Sequence, residues 1–314
     1  MQRSKKWLMI GYRVSQTQEK SSSRIRLTES MAYIYEEIDP DLVAEWETGD
    51  TSSAVGGRST PSVWDSLSEL PRTLIEISAL SLTWPLLSAG SRGDGHSVFV
   101  MPGFMAGDRS TLALRRFLDR QNLGSISWEL GQNNGSFAQQ DELMQRFEQV
   151  MASTSGAISL VGQSLGGVYA RLLATHFPER IRQVITLGSP FASPGPDTVN
   201  ATVSRLFQYM SGMSEDEMRD QMLALSGPLK VPATAIYSRS DGVVHWTSCI
   251  DAPGHRSENV EVLGSHSGMG FNPAVLYVIA DRLAQAADTW RPFTRSGCLK
   301  GLVFPASTMQ TRLS

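Results

Sequence analysis

The sequence predicts an α/β fold with a mostly parallel central sheet of about six strands and helices on both faces. Short apolar runs alternate with segments of helical periodicity from about residue 95 to residue 293, and one run leads directly into a Gly-Gln-Ser-Leu-Gly turn. Such alternation favours parallel strands joined by right-handed crossovers. The predicted strands lie near 97–101, 125–129, 157–162, 183–187, 232–238 and 258–263, and the predicted helices near 109–121, 138–152, 165–177 and 272–286.

Three further segments surround or interrupt this predicted core. Residues 1–94 carry helical patterns at 27–46 and 63–87 with no strand pair, which predicts a helical N-terminal extension. The α/β domain at 95–293 contains an insert at about 196–230, between the fourth and fifth predicted strands. Residues 294–314 mix polar residues with one apolar patch, which predicts a poorly ordered tail.

The composition is that of a soluble globular enzyme. The chain has 314 residues, 41% of them hydrophobic and 19% charged, with a net charge of −3. This charge, without a basic block, argues against a nucleic-acid partner. Cys249 and Cys298 predict neither a disulfide framework nor a metal pair, although one bridge between them stays open. The first apolar run is too short for a signal peptide or a transmembrane segment, so a cytoplasmic location is expected.

Ser164 is the candidate nucleophile, at the centre of the turn between the third predicted strand and its helix. A side chain two positions before it, at Gly162, or two positions after it, at Gly166, would collide with the neighbouring strand and helix. The helix N-terminus behind the serine favours developing negative charge. The alternative interpretation is a Gly-rich turn in which Ser164 only caps the helix.

His266 and Asp241 are the candidate base and acid. His266 lies in a Gly-rich loop after the sixth predicted strand, and Asp241 follows the fifth. Open α/β sheets hold their sites at these strand ends. His245 is the rival base, because it lies four residues after Asp241 and could pair with it locally. The order Ser164, Asp241, His266 matches the triad order of one large group of serine hydrolases.

The candidate oxyanion donors are two backbone N–H groups. One is that of Leu165, the residue after the nucleophile. The other is that of Phe104, in the turn that follows the first predicted strand, where Gly103 permits a sharp bend. Taken alone, this segment is equally compatible with an ordinary Pro-Gly turn after a strand.

Together these segments resemble the α/β-hydrolase superfamily, and within it lipase- and esterase-like members. The matching pieces are Pro102-Gly103-Phe104, Gly162-Gln163-Ser164-Leu165-Gly166, Ser240-Asp241-Gly242 and Gly264-Ser265-His266-Ser267-Gly268-Met269. The family usually has His-Gly in the oxyanion loop, where this chain has Pro102-Gly103, and often a proline where His245 stands. The resemblance implies an α/β-hydrolase fold without the first two strands of the full eight-stranded sheet.

The resemblance also implies a function. It implies a serine hydrolase that cleaves carboxylic esters through an acyl-enzyme, with no cofactor and no metal. The insert at 196–230 would form a helical cap, and Phe104, Met105, Phe207 and Met210 would contact a small-molecule or lipid-like ester. The alternative for the insert is that its apolar residues only pack its helices onto the body of the protein. Peripheral membrane contact is left open. The alternatives are a thioesterase or acyltransferase with the same triad, or a catalytically silent hydrolase-fold binding protein.

Overall fold

The structure is a computed structural model of the chain. It describes residues 60–192, 208, 224–252, 254, 256–287, 289–296, 300 and 303–305. All of these residues belong to one compact unit, which spans residues 58–314. The helical pattern predicted at 27–46 and most of the insert predicted at 196–230 lie outside the described residues.

A six-stranded, all-parallel sheet forms the centre of this unit, as the sequence predicts. Its strands are β1 (Ser97–Met101), β2 (Gly124–Ile126), β3 (Ile158–Gln163), β4 (Ile181–Leu187), β5 (Ala233–Tyr237) and β6 (Ser257–Glu261). They are arranged in the order β2-β1-β3-β4-β5-β6, and every neighbouring pair is parallel. The order reverses between β1 and β3, which creates the crevice where open α/β sheets bind their ligands.

Five described α-helices accompany the sheet. They are α1 (Val63–Ser88), α2 (Leu112–Arg120), α3 (Phe137–Ser153), α4 (Leu165–His176) and α5 (Pro273–Leu283). Their positions match the predicted helical segments to within a few residues. The start of α5 illustrates why a helix boundary can be predicted from local sequence. The Asn272 side chain caps the helix by accepting hydrogen bonds from the N–H groups of Ala274 and Val275, and Pro273 occupies the first helical position.

Strand β1 divides the core into two layers, because successive side chains point to opposite faces of the sheet. Val98 and Val100 pack in a cluster with residues of α2 and α5, whereas Phe99 and Met101 pack in a second cluster with residues of α3 and α4. Helices therefore cover both faces of the sheet, as predicted. No described helix is long and apolar enough to cross a bilayer.

Strand β2 is shorter than predicted. The prediction of a strand at 125–129 is wrong after Ile126, because the N–H groups of Trp128 and Glu129 each donate to the Asp108 carboxylate at 2.9 Å. Those two donors turn toward the loop after β1. At Glu129 the backbone φ of 60° takes the chain out of extended geometry.

Helix α1 is present where predicted, but its apolar side faces outward. Periodicity alone would place that side against the body of the protein. Its most exposed large side chains are instead apolar: Val63, Trp64, Leu67, Leu70, Leu74, Ile75, Leu82 and Leu86. The buried residues of the helix are Glu69, Glu76 and Leu80. Polar side chains therefore form the contacts of the helix with the loops after β5 and β6, whereas Leu80, Trp84 and Leu87 in its C-terminal half pack with the apolar core.

The C-terminal tail differs from the sequence-based expectation, whereas Cys249 agrees with it. The aromatic ring of Phe304 is buried against that of Phe293, with ring centroids 4.9 Å apart, so this part of the tail packs into the core. Cys249 carries a free, buried thiol. The bridge to Cys298 that the sequence left open is therefore not formed, although Cys298 itself lies outside the described residues.

Candidate active site

Ser164 occupies a sharp turn between β3 and α4. Its backbone has φ 51° and ψ −123°, a combination that a residue with a side chain rarely adopts. The N–H of Ser164 donates to the carbonyl of Leu187 at the end of β4, at 2.8 Å. The turn places a half-buried hydroxyl group at the carboxyl edge of the sheet, directly before a helix N-terminus.

The glycines that flank this turn are required by their surroundings. A Cβ at Gly162 would overlap the backbone of Gly166, and a Cβ at Gly166 would overlap the carbonyl oxygens of Met101 and Pro102. As the sequence predicts, a side chain at either position would therefore collide with neighbouring backbone atoms. Gly162 keeps the turn tight, and Gly166 lets α4 approach the end of β1.

The structure joins Asp241 and His266, which follow β5 and β6. His266 Nδ1 lies 2.7 Å from Asp241 Oδ2. The other carboxylate oxygen, Asp241 Oδ1, accepts hydrogen bonds from the N–H groups of Val243 at 2.9 Å and Val244 at 2.7 Å. Both side chains are buried. One oxygen thus anchors the carboxylate to its own loop, and the other orients the imidazole.

The environment of His266 favours its protonated form. Burial by itself lowers the pKa of the imidazole, but the charge and hydrogen bond of Asp241 and the charge of Glu69 outweigh burial and raise it above the usual range. This arrangement stabilises the imidazolium that forms when a base accepts a proton.

His245, the rival base, is placed differently. Its Nδ1 lies 2.8 Å from Thr247 Oγ1, and no hydrogen bond joins it to Asp241 among the described residues. Burial and the charge of Arg239 lower the pKa of His245 more than Asp241 raises it. The carboxylate is therefore directed to His266.

The nucleophile turn and the base loop are connected through Gln163. Its Nε2 donates to the carbonyl oxygen of His266 at 3.0 Å. The Ser164 hydroxyl itself makes no hydrogen bond to His266 within the described part of the chain. Catalytic hydrogen bonds are commonly long or poorly aligned until substrate binds.

The candidate oxyanion loop lies against the nucleophile. A Cβ at Gly103 would lie only 3.2 Å from the Cβ of Ser164, so the turn after β1 passes beside the serine. Asn133, which is fully buried, supports this turn. Its side-chain Nδ2 donates to the Pro102 carbonyl at 2.9 Å, and its backbone carbonyl accepts from the N–H of Met105 at 2.7 Å. Asn133 was not identified from the sequence, because its Asn-Asn-Gly context only indicates a loop.

The remaining predicted site residues divide into two groups. Leu165 is the first residue of α4, and Phe104 is half-buried in the turn after β1, where Met105 adopts φ 59° and is 37% exposed. These three residues are therefore at the same end of the sheet as Ser164. Phe207 and Met210 lie outside the described residues, so their predicted contact with substrate remains a prediction.

Helix α1 contributes residues that the sequence analysis did not identify. Glu69, Arg72 and Glu76 contact the loops that carry Asp241 and His266. The available signal was their spacing of three and four residues, which forms a charged stripe on an otherwise apolar helix. Within the described ranges, no group of three or more His, Cys, Asp or Glu side chains could hold a metal ion.

Comparisons with known proteins identify the fold. The structure is similar to Aspergillus fumigatus lipase B, with a TM-score of 0.50 and 16% identity over 62% of this chain and 55% of that chain. Weaker likenesses include a monoacylglycerol lipase from Paleococcus ferrophilus (TM-score 0.46, 15% identity, 61% of this chain and 96% of that one) and a thioesterase domain from the curacin biosynthetic pathway (0.40, 14%, 60% and 93%). The sequence matches no protein-family model and no curated protein. The chain has the α/β-hydrolase fold.

Proposed function

We propose that the protein is a serine hydrolase that cleaves carboxylic esters through Ser164, His266 and Asp241. The observation that carries this proposal is the 2.7 Å contact between His266 Nδ1 and Asp241 Oδ2, on the two loops that follow β5 and β6. These loops lie at the sheet edge where the strained turn presents Ser164. An oriented imidazole and a serine on a sharp turn at the same sheet edge are the elements that acyl transfer requires.

In the proposed reaction, Ser164 Oγ attacks the acyl carbonyl and its proton passes to His266 Nε2. The N–H groups of Leu165 and Phe104 stabilise the resulting oxyanion. His266 then gives the proton to the departing alcohol, which leaves an acyl-enzyme. Water, deprotonated by the same imidazole, attacks the acyl carbonyl, and proton return to Ser164 releases the acid. Asp241 holds the imidazole orientation throughout.

The proposed substrate is an ester with an apolar acyl group. Phe104 and Met105 directly follow Gly103, whose backbone passes beside Ser164. Phe207 and Met210, in the insert after β4, would complete the acyl-binding wall. Unbranched methionine side chains adapt to irregular apolar ligands.

A fluorophosphonate probe and a panel of aryl esters of increasing chain length test this function. The wild-type protein should be labelled and should hydrolyse esters, whereas Ser164→Ala should lose both properties, with turnover falling on the order of 10⁶-fold. The exposed Ser153, replaced by Ala, is the matched control and should leave both unchanged. Labelling that persists in Ser164→Ala would identify another nucleophile, and an unlabelled, inactive wild type would favour a silent binding protein. Matched thioesters and added acyl acceptors separate the remaining alternatives.

A further inference from the structure

The buried charged stripe of α1 connects the acid loop to the base loop. Oε1 of Glu69 accepts hydrogen bonds from the N–H groups of Gly242 at 2.8 Å and His266 at 3.0 Å. Its Oε2 accepts from the N–H of Ser267 at 3.2 Å. One carboxylate therefore contacts the residue after Asp241, the backbone of His266 and the residue after His266.

A second carboxylate, one heptad later, contacts the base loop alone. Glu76 Oε1 accepts from the N–H of Ser265 at 2.7 Å, and Oε2 accepts from its hydroxyl at 2.6 Å. Asn272 Nδ2 donates to the same carboxylate at 3.3 Å. Glu76 has no described bond to the acid loop, which makes it a natural comparison for Glu69.

Three further side chains of α1, those of Ser66, Arg72 and Thr73, also contact these loops. Ser66 Oγ donates to the Gly242 carbonyl at 2.6 Å, and Thr73 Oγ1 lies 2.9 Å from Ser265 Oγ. Arg72 donates to the carbonyl oxygens of Ser240 and, at 3.4 Å, Gly264, and it forms an ion pair with Glu69 at 3.2 Å. At Gly242 a Cβ would overlap the carbonyl of Asp65. The helix backbone and the acid loop are thus in close contact.

These contacts matter because the acid and the base are held on separate loops. Two side chains that must meet at hydrogen-bond distance need supporting groups that fix both of their backbones. A buried carboxylate that accepts three N–H bonds does this, and its negative charge also lies close to the imidazole. Charge-assisted hydrogen bonds are about twice as strong as neutral ones.

We propose that Glu69 is a positioning residue of the active site, which holds the His266 loop in register with the Asp241 loop through its hydrogen bonds to both. Its negative charge acts on the imidazole in addition to this role. This inference rests on the proposed function for its catalytic consequence. The charged groups around His266 are Asp241 from the loop after β5, and Glu69, Arg72 and Glu76 from α1. Of the α1 carboxylates, only Glu69 contacts the His266 backbone.

The test compares the pH profile of kcat/KM for wild type and Glu69→Gln. The amide keeps the size of the side chain but loses the charge and one acceptor, and it leaves Arg72 without its ion-pair partner. The acid limb should move to lower pH, because the Glu69 charge raises the pKa of His266. At the plateau, kcat should fall about ten-fold, as expected for loss of a supporting partner, with KM unchanged.

Two controls separate this role from general loosening of the helix. Glu76→Gln removes a buried carboxylate from the same face, and Glu142→Gln removes an exposed charge from α3. Both should keep the wild-type acid limb, even where Glu76→Gln unfolds at a lower temperature. An acid limb that moves equally in Glu76→Gln, or does not move in folded Glu69→Gln, overturns the proposal.

Glu69→Asp provides the second variant if the Gln protein does not fold. It keeps the charge but shortens the reach to the three N–H groups, so kcat should fall while the acid limb stays near that of wild type. Undiminished kcat in this variant overturns the positioning role. NMR titration of the His266 imidazole gives the same pKa comparison without turnover. If no ester is hydrolysed but the His266 titration still depends on Glu69, the proposed function fails and the positioning of His266 stands.

Discussion

The backbone of Gly268 lies so close to the Glu76 carboxylate that a single added carbon would not fit. A Cβ at Gly268 would overlap Oε2 of Glu76 and lie 2.5 Å from Ser265 Oγ. The base loop therefore passes directly over the buried charged stripe of α1. The glycine here serves close approach, since its backbone φ of −85° is open to any residue.

We expect Gly268→Ala to damage both stability and catalysis. Its Cβ must displace Glu76 or the loop, which should cost about 1–3 kcal/mol of unfolding free energy, as for overpacking elsewhere, and should lower kcat. Gly227→Ala is the matched control, because a Cβ there meets nothing within 4 Å. Urea denaturation and ester hydrolysis measure the two effects. A Gly268→Ala protein as stable and active as the control would contradict the described packing.

His266→Ala should abolish most ester hydrolysis, whereas His245→Ala should keep most of it. Of these two histidines, His266 is the one hydrogen-bonded to Asp241 in the described part of the chain, while His245 Nδ1 contacts Thr247. Since triad members act as a unit, loss of the base should cost nearly as much as loss of Ser164. Steady-state rates of the two variants on one aryl ester test this expectation. If His245→Ala were the inactive variant, His245 would be the base.

Asp241→Asn should lower kcat by roughly 10⁴-fold, the scale found when an orienting carboxylate becomes an amide and the wrong imidazole tautomer is favoured. The N–H groups of Val243 and Val244 select the amide oxygen, so the amide NH2 group replaces the oxygen that faces His266 Nδ1. Asp251→Asn offers a comparison outside the site, because that carboxylate pairs with Arg171 at 2.9 Å and should affect stability instead. Near-normal turnover of Asp241→Asn in a folded protein would exclude it as the acid.

The pH dependence of kcat/KM should show an acid limb above the usual histidine pKa of about 6.5. His266 must be neutral to accept the serine proton, and its pKa is raised because Asp241 and Glu69 outweigh the effect of burial. Activity should therefore fall as the pH drops through that raised pKa. Stopped assays across the neutral range in buffers of constant ionic strength measure it. An acid limb below 6.5 would be inconsistent with the described environment of the imidazole.

The insert should set acyl-chain preference more strongly than catalytic power. Each methylene that enters an apolar pocket contributes about 0.8 kcal/mol, a few-fold in specificity until the pocket is full. Phe207→Ser and Met210→Gln should flatten the chain-length profile of kcat/KM and leave acetate esters nearly unaffected. Leu82→Ser, on the exposed side of α1, is the control and should keep the wild-type profile. The same profile in all three folded variants would exclude the insert as the acyl-binding wall.

Local physical chemistry explains why much of the site could be predicted from the sequence. The requirement for glycine at Gly162 and Gly166 arises from neighbours that a strand–turn–helix unit brings together, so it can be predicted from a short segment. Asp241 and His266 follow recognisable strands, whose carboxyl ends must meet at one edge of a parallel sheet. The end of β2 could not be predicted, because the Asp108 carboxylate that captures its last N–H groups is about twenty residues away.

The parallel α/β architecture, the candidate nucleophile and the order of its candidate partners could be predicted from the amino-acid sequence, because periodicity and glycine sterics are local properties. The orientation of α1 and the groups that support the base depend instead on long-range contacts of the folded chain. Glu69 bonds to Gly242 and His266, which lie 173 and 197 positions away in the sequence. Apolar periodicity alone would predict that the apolar side of this helix is buried and that Glu69 is exposed. The N–H groups of Gly242 and His266 need an acceptor because folding buries them, and the Glu69 carboxylate provides it. This need arises only when the two loops come together in the folded chain.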